Sequence, residues 1–181
     1  MSNPLRLCLD LNIWCAALLA DIKENQNMAT PCKLSACQSI VDTVRYGRCY
    51  MGTVELVISW GMLNRLEQVL LRLTPLAKDA SFYVDVIRSY AQIQPQLTLG
   101  GSGVIPISDI EDQHVLETAL AGRANVLVTA NFKDFLNNDI ELIIPERHSI
   151  YHSPIMGLPN SDIELGVHSA FKRQFTPYAV Q

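Results

Sequence analysis

The chain has 181 residues, 49% of them apolar, and a formal net charge of −4. That length suits one domain with a proper core, and that composition excludes a disordered polymer. The negative balance excludes a surface coated in basic residues for nucleic acid. It does not exclude a nuclease, because a carboxylate cluster around a divalent cation is negative at the very place where phosphate must approach. No apolar run reaches the ~20 residues needed to span a bilayer. No cleavable leader is visible before the first strand-like segment, so a cytoplasmic protein without membrane association is expected. The five cysteines (Cys8, Cys15, Cys32, Cys37, Cys49) lack Cys-x-x-Cys spacing and read as reduced thiols.

Leu5 to Leu9 (LRLCL) is an apolar run ending at Asp10, and the pattern predicts the first strand there. A helix is predicted over Asn12 to Leu19, so Asp10 falls at a strand-to-helix junction. A polar loop follows over residues 24–31, then a helix from Lys33 to Tyr46 stopped by Gly47. Val54 to Ser59 has the β-branched content of a second strand. Trp60 to Leu73 is strongly periodic, with Leu63, Leu66, Val69, Leu70 and Leu73 on one stripe, and Pro75 marks its end. Another helix is predicted from Ala77 to Ile93, then a Gly-rich loop over 100–103 and a third strand over Val104 to Ile107.

The stretch from Ile107 to Phe135 carries the most information. An acidic turn, Ser108 to Asp112, opens a helix with Val115, Leu116, Ala119 and Leu120 on its apolar face and Gly122 at its C-cap. Val126-Leu127-Val128 is wholly apolar, the mark of a strand buried on both faces of a parallel sheet. It runs into a polar segment, Thr129 to Phe135. Ile140 to Ile144 is predicted as the fifth strand and His148 to His152 as a short further one. A turn-rich linker and a helix from Asp162 to Phe175 follow. Strand–helix alternation with apolar strands predicts an α/β, three-layer sandwich around a five-stranded parallel sheet. The division expected is a domain over 1–153, with 154–181 as a short C-terminal appendage of helix and tail.

Open α/β sheets bind ligands at the carboxyl ends of their strands, and this scheme puts acids from distant segments there. Asp10 ends the first strand. Asp109 and Asp112, three apart at the start of a helix, share a face. Asp134 follows the fourth strand, with Asn131 just before it. Such carboxylates repel and shift each other's pKa unless a cation lies between them. Hard oxygen ligands suit Mg²⁺ or Mn²⁺, which activate water and shield a phosphodiester. The helix-cap alternative stands beside this: Ser108 with Glu111 forms a capping box, and Asp109 or Asp112 favours a helix N-terminus regardless of any ligand. Asp10 is the hardest acid to explain that way, because a carboxylate ending a buried strand needs a partner. A haloacid-dehalogenase-type phosphatase would need a second Asp at the position held by Asn12.

Three segments together resemble the PIN domain: Asp10 after an apolar strand, Asp-x-x-Asp-x-His-Val-Leu-x-x-Ala from Asp109 to Ala119, and Val-Thr-x-Asn-x-x-Asp-Phe from Val128 to Phe135. The resemblance covers roughly residues 5–145 and is nearest to the bacterial PIN proteins of VapBC-type toxin–antitoxin pairs. It implies a metal-dependent ribonuclease with Asp10, Asp112 and Asp134 as its catalytic acids. The Mg²⁺ or Mn²⁺ ligands it implies are those three and Asn131. Asp109, Thr129, Asn12 and Ser59 are the accessory residues, and Arg65 and Lys133 the phosphate contacts. The partners implied are RNA, an antitoxin protein and a second copy in a homodimer.

One departure stands out. The helix after the second strand usually carries a Glu where this chain has Arg65, and Glu67 lies about 200° further round the helix. With Asn131 where Asp is frequent, the alternative is a catalytically impaired PIN-fold protein that binds RNA or a protein partner.

Overall fold

The computed structural model describes residues 4–50, 52–73, 77–92, 97–98, 110–131, 140–144, 148–151 and 163–167. In chain order the elements are β1 (Leu5–Leu9), α1 (Leu11–Asn25), α2 (Cys32–Tyr46), β2 (Arg48–Cys49), β3 (Gly52–Ser59), α3 (Trp60–Leu73), α4 (Ala77–Gln92), β4 (Leu97–Thr98), α5 (Ile110–Ala121), β5 (Val126–Thr129), β6 (Ile140–Ile144), β7 (His148–Tyr151) and β8 (Ile163–Val167).

The sheet is built on β1. It pairs in parallel with β3 on one side, Leu7 opposite Leu56, and with β5 on the other, Leu7 opposite Val126. A central strand is shielded on both faces, which is why LRLCL has no polar–apolar alternation in its second half. Leu7, Cys8 and Leu9 are fully buried. Helices then pack over it: α1 against β5, α2, α3 and α4 against β3, and α5 against β1, β3 and β5. Of the stripe read on α3, Leu63, Leu66 and Leu70 lie in the core, Val69 is half-buried and Leu73, at the helix end, is exposed. Trp14 is fully buried as well, and its indole N–H finds the Leu9 carbonyl at 3.2 Å, the partner a buried indole needs.

Helix ends follow local chemistry. Gly47 closes α2 in the left-handed region at φ 63°, a conformation glycine adopts without a Cβ penalty. Ser59 closes β3 and caps α3, its Oγ accepting the Met62 amide at 3.2 Å. The end of α5 differs from the expectation. Gly122 is not the left-handed residue; Arg123 is, at φ 52°. The Ala124 amide reaches back to the Ala119 carbonyl at 2.8 Å and the Arg123 amide to Leu120 at 2.9 Å. That is a Schellman turn with arginine at its left-handed position.

The expectation of a purely parallel five-stranded sheet is corrected. The sheet is mixed, in the order β2-β3-β1-β5-β8-β7-β6, with β4 on β3. Parallel pairing joins β4, β3, β1, β5 and β8. β2 is antiparallel to β3, and β6, β7 and β8 are antiparallel to one another. Ile140–Ile144 is a strand, but it lies at the far edge; β8 takes the place beside β5. Ile163–Val167 falls inside the helix expected from Asp162, so that expectation is also corrected, and this segment is part of the sheet rather than an appendage. A short run such as IELGV carries too few residues for periodicity to choose between helix and strand; the open edge of β5 chooses. The strand expected over Val104 to Ile107 lies outside the described residues.

Candidate metal-binding site at the sheet edge

β1 ends at Leu9, and the next residue is held in place by β5 on one side and the start of α1 on the other. The Asp10 amide donates to the Val128 carbonyl at 3.0 Å, continuing the ladder with β5, while its own carbonyl accepts the Ile13 amide at 3.0 Å and starts α1. Its backbone stays extended, φ −61° and ψ 154°. The side chain is thereby fixed at the carboxyl edge of the sheet, and the residue is only 4% exposed.

A compact set of polar groups surrounds it. The Thr129 hydroxyl, at the end of β5, donates to Asp10 Oδ2 at 2.7 Å. Asn12 Nδ2 donates to the same oxygen at 2.6 Å and also approaches Thr129 Oγ1 at 3.3 Å. Asn12 Oδ1 accepts the Ala130 amide at 3.1 Å, and Thr129 Oγ1 accepts the Asn131 amide at 2.9 Å. Asn12 thus pins the segment after β5 onto the start of α1. Burial pushes the Asp10 carboxyl above the usual carboxylate range. The Thr129 hydroxyl, the Asn12 side chain and the amides of Leu11 and Asn12 pull it back, without prevailing. The thiol beneath, Cys8, is fully buried and its pKa is pushed far up, first by burial and then by Asp10, so it offers no nucleophile here.

The structure brings together Asp10, Asn12 and Thr129, with Ala130 and Asn131 exposed just beyond. By the β1–β3 register, Ser59 lies alongside Asp10. Its Oγ is used structurally, accepting from Met62 and from Thr118 Oγ1 at 2.9 Å, which ties α3 and α5 to the sheet edge. Arg65 is half-buried on α3, a helix in contact with α5. Glu67 is engaged elsewhere, accepting from Ser81 Oγ of α4 at 2.5 Å. Asp112 falls in the first turn of α5; its side chain, and the residues Asp109, Lys133 and Asp134, lie outside the described residues.

Sequence reasoning missed Glu117, a second buried carboxylate. It sits on α5 with 3% exposure, accepts from Gln113 Nε2 at 3.0 Å, and has Oε2 at 3.7 Å from His114 Nδ1. Its signal was there: an acid inside the apolar run HVLETALA.

A family model described as PIN domain matches residues 6–133. The chain belongs to the PIN domain family. No curated protein and no solved structure matches it. The match runs from β1 through the end of β5, so Asp10, Asn12, Ser59, Asp112 and Thr129 all fall inside this PIN domain.

The potential metal ligands described at this edge are oxygens, the Asp10 carboxylate and the Thr129 hydroxyl, with the Asn12 amide nitrogen bonded to Asp10 Oδ2. That set suits a hard divalent ion. Among the described residues no three of His, Cys, Asp and Glu converge on one point. Asp10 is a buried carboxylate inside the PIN-domain match, and burial raises its pKa more than its hydrogen bonds lower it.

Proposed function

We propose that this PIN-domain protein is a metal-dependent ribonuclease, with a Mg²⁺ or Mn²⁺ ion held by Asp10, Asp112, Asp134 and Asn131. One observation supports the reading above others: a carboxylate buried at the ligand-binding edge of the sheet, with four hydrogen bonds from three residues that do not offset its desolvation. A hard cation supplies the missing opposite charge. When bound, such an ion activates water and shields the phosphodiester for in-line attack.

The chain's own groups do the rest. Thr129 and Asn12 fix which oxygen of Asp10 faces the solvent side, because both bind Oδ2. Asp109 orients the attacking water or an outer ligand. Arg65 and Lys133 hold phosphate, offsetting the net charge of −4 that RNA meets on approach. The role drawn from the toxin–antitoxin resemblance is that of a cytoplasmic toxin, working as a homodimer and silenced by an antitoxin.

The test is cleavage of RNA with Mn²⁺, abolished in Asp10→Asn and in Asp112→Asn and retained in Lys78→Ala, an exposed control. Cleavage that survives both carboxamide changes rejects the assignment. The toxin role predicts growth arrest on expression, relieved by Asp10→Asn.

Arg65 favours one second reading. A guanidinium where a carboxylate is usual provides positive charge without an ion, leaving a PIN fold that binds RNA or a protein partner and cleaves nothing. Calorimetry separates the two: Mn²⁺ heat that disappears in Asp10→Asn belongs to the nuclease, and no Mn²⁺ heat in the unaltered chain belongs to the impaired form.

A further inference from the structure

On another part of the molecule, between α1, α2 and α4, lies a cavity of about 40 Å³ whose lining includes Trp14, Asp21, Asp42, Arg45, Tyr83 and Tyr90. That space is about three times the ~10–15 Å³ that one water needs. It admits a head group of a few heavy atoms and excludes a nucleobase.

Two of the aromatic residues on the lining are fixed in place. Trp14 is wholly buried, and Tyr83 is tied to it by its hydroxyl, which donates to the Trp14 carbonyl at 3.3 Å. The charges are unbalanced. Asp21 and the nearby Glu24 share a single neutral donor, Gln38 Nε2, at 2.6 and 3.0 Å. Asp42, one turn beyond Gln38, is half-buried. Arg45 lies over the Tyr46 ring at 6.0 Å and forms no ion pair with Asp42. Burial raises the Asp42 carboxyl, Arg45 pulls it down, and Asp21 and Glu24 push it up again. A half-buried acid thus faces a small aromatic-walled space with two more carboxylates beside it.

We propose that this cavity binds a guanidinium group, with Asp42 as the ion-pairing acceptor and the Trp14, Tyr83 and Tyr90 rings as the stacking wall. A planar, weakly hydrated cation fits both features at once. It pairs with a carboxylate through parallel N–H donors and stacks on aromatic faces, where an ammonium remains a strongly hydrated point charge. Asp21 and Asp42 on the lining, with Glu24 near by, outnumber the one lining cation, Arg45, and so disfavour an anion. The group reaches the cavity either on a free guanidino compound or as an arginine side chain of a peptide, and the test distinguishes them.

Methylguanidinium is titrated into the full chain while the indole N–H resonance of Trp14 is followed by NMR, with methylurea as the neutral isostere. A saturable shift is expected with the cation and not with the urea, weakened by about tenfold or more in Asp42→Asn and unchanged in Asp79→Asn, an exposed acid on α4. Asp21→Asn weakens it too, and serves if Asp42→Asn does not fold. No saturable shift, an equal response to methylurea, or unaltered binding in both variants overturns the proposal. A Gly-Gly-Arg-Gly-Gly amide is compared with its citrulline counterpart. Tighter binding than methylguanidinium, lost with citrulline, assigns the cavity to a peptide partner; equal or weaker binding assigns it to a free guanidino compound.

Discussion

Thr129 is the residue whose removal tests the site most directly, because its hydroxyl serves Asp10 without being a charge itself. In Thr129→Val the shape is kept and the oxygen is lost. Asp10 Oδ2 forfeits its 2.7 Å donor, and a hydrogen bond to a buried charged group contributes about 1.5–3 kcal/mol. The Asn131 amide loses its acceptor, but Asn131 is exposed and water replaces it at little cost. The added methyl returns less than about 1 kcal/mol of apolar burial. The net expectation is a loss of about 2 kcal/mol at neutral pH, read by urea denaturation in EDTA. The loss belongs to the charged form of Asp10, so it shrinks as acid protonates the carboxyl, and Thr129→Ser restores most of it. A loss below about 0.5 kcal/mol, or one equal at neutral and acidic pH, refutes the argument that this hydroxyl stabilises a buried carboxylate.

Asp10 itself makes a linked prediction. Its folded pKa lies above the unfolded value near 3.8, so the native state holds the extra proton between the two, and stability falls as pH rises through that window and then levels. Without metal, the stability of the unaltered chain relative to Asp10→Asn therefore declines from acid toward neutral pH, as thermal melts across the range will show. Arg123→Gly removes a side chain from the left-handed position at φ 52° and raises stability by about 0.5–1 kcal/mol in chemical denaturation. Leu66→Ala, at a fully buried position, costs about 2–5 kcal/mol by the same measurement.

Elements with a repeated pattern were legible in the sequence. The α3 helix is long enough for its period to be counted, and LRLCL falls where expected as a short apolar run that ends in an acid. α1 ran past its predicted end at Leu19 to Asn25, because the polar residues of its last turns look like loop until packing against α2 is known. β2 and β4 have two residues each and no period at all. The hairpin of β6 and β7 and the placement of β8 depend on which edge is open, a property of the assembled sheet that no local stretch encodes. Asp10 was legible as a carboxylate ending a buried strand. Its bonds to Thr129 and Asn12 link positions 119 residues apart and merely two apart, and only the β1–β5 register brings the distant pair to one place.

The position of β8 has a consequence for how the molecule is made. Val126–Thr129 is flanked by β1 on one side and by Ile163–Val167 on the other, yet the second flank leaves the ribosome well after the stretch it protects. Until then a bare backbone edge ends in the very threonine that steadies the site's acid, and such edges recruit foreign strands. A chain cut back to just past Asp134 would keep every acid named above and lose the partner that covers that edge. Shortened versions should therefore clump before they lose any chemistry.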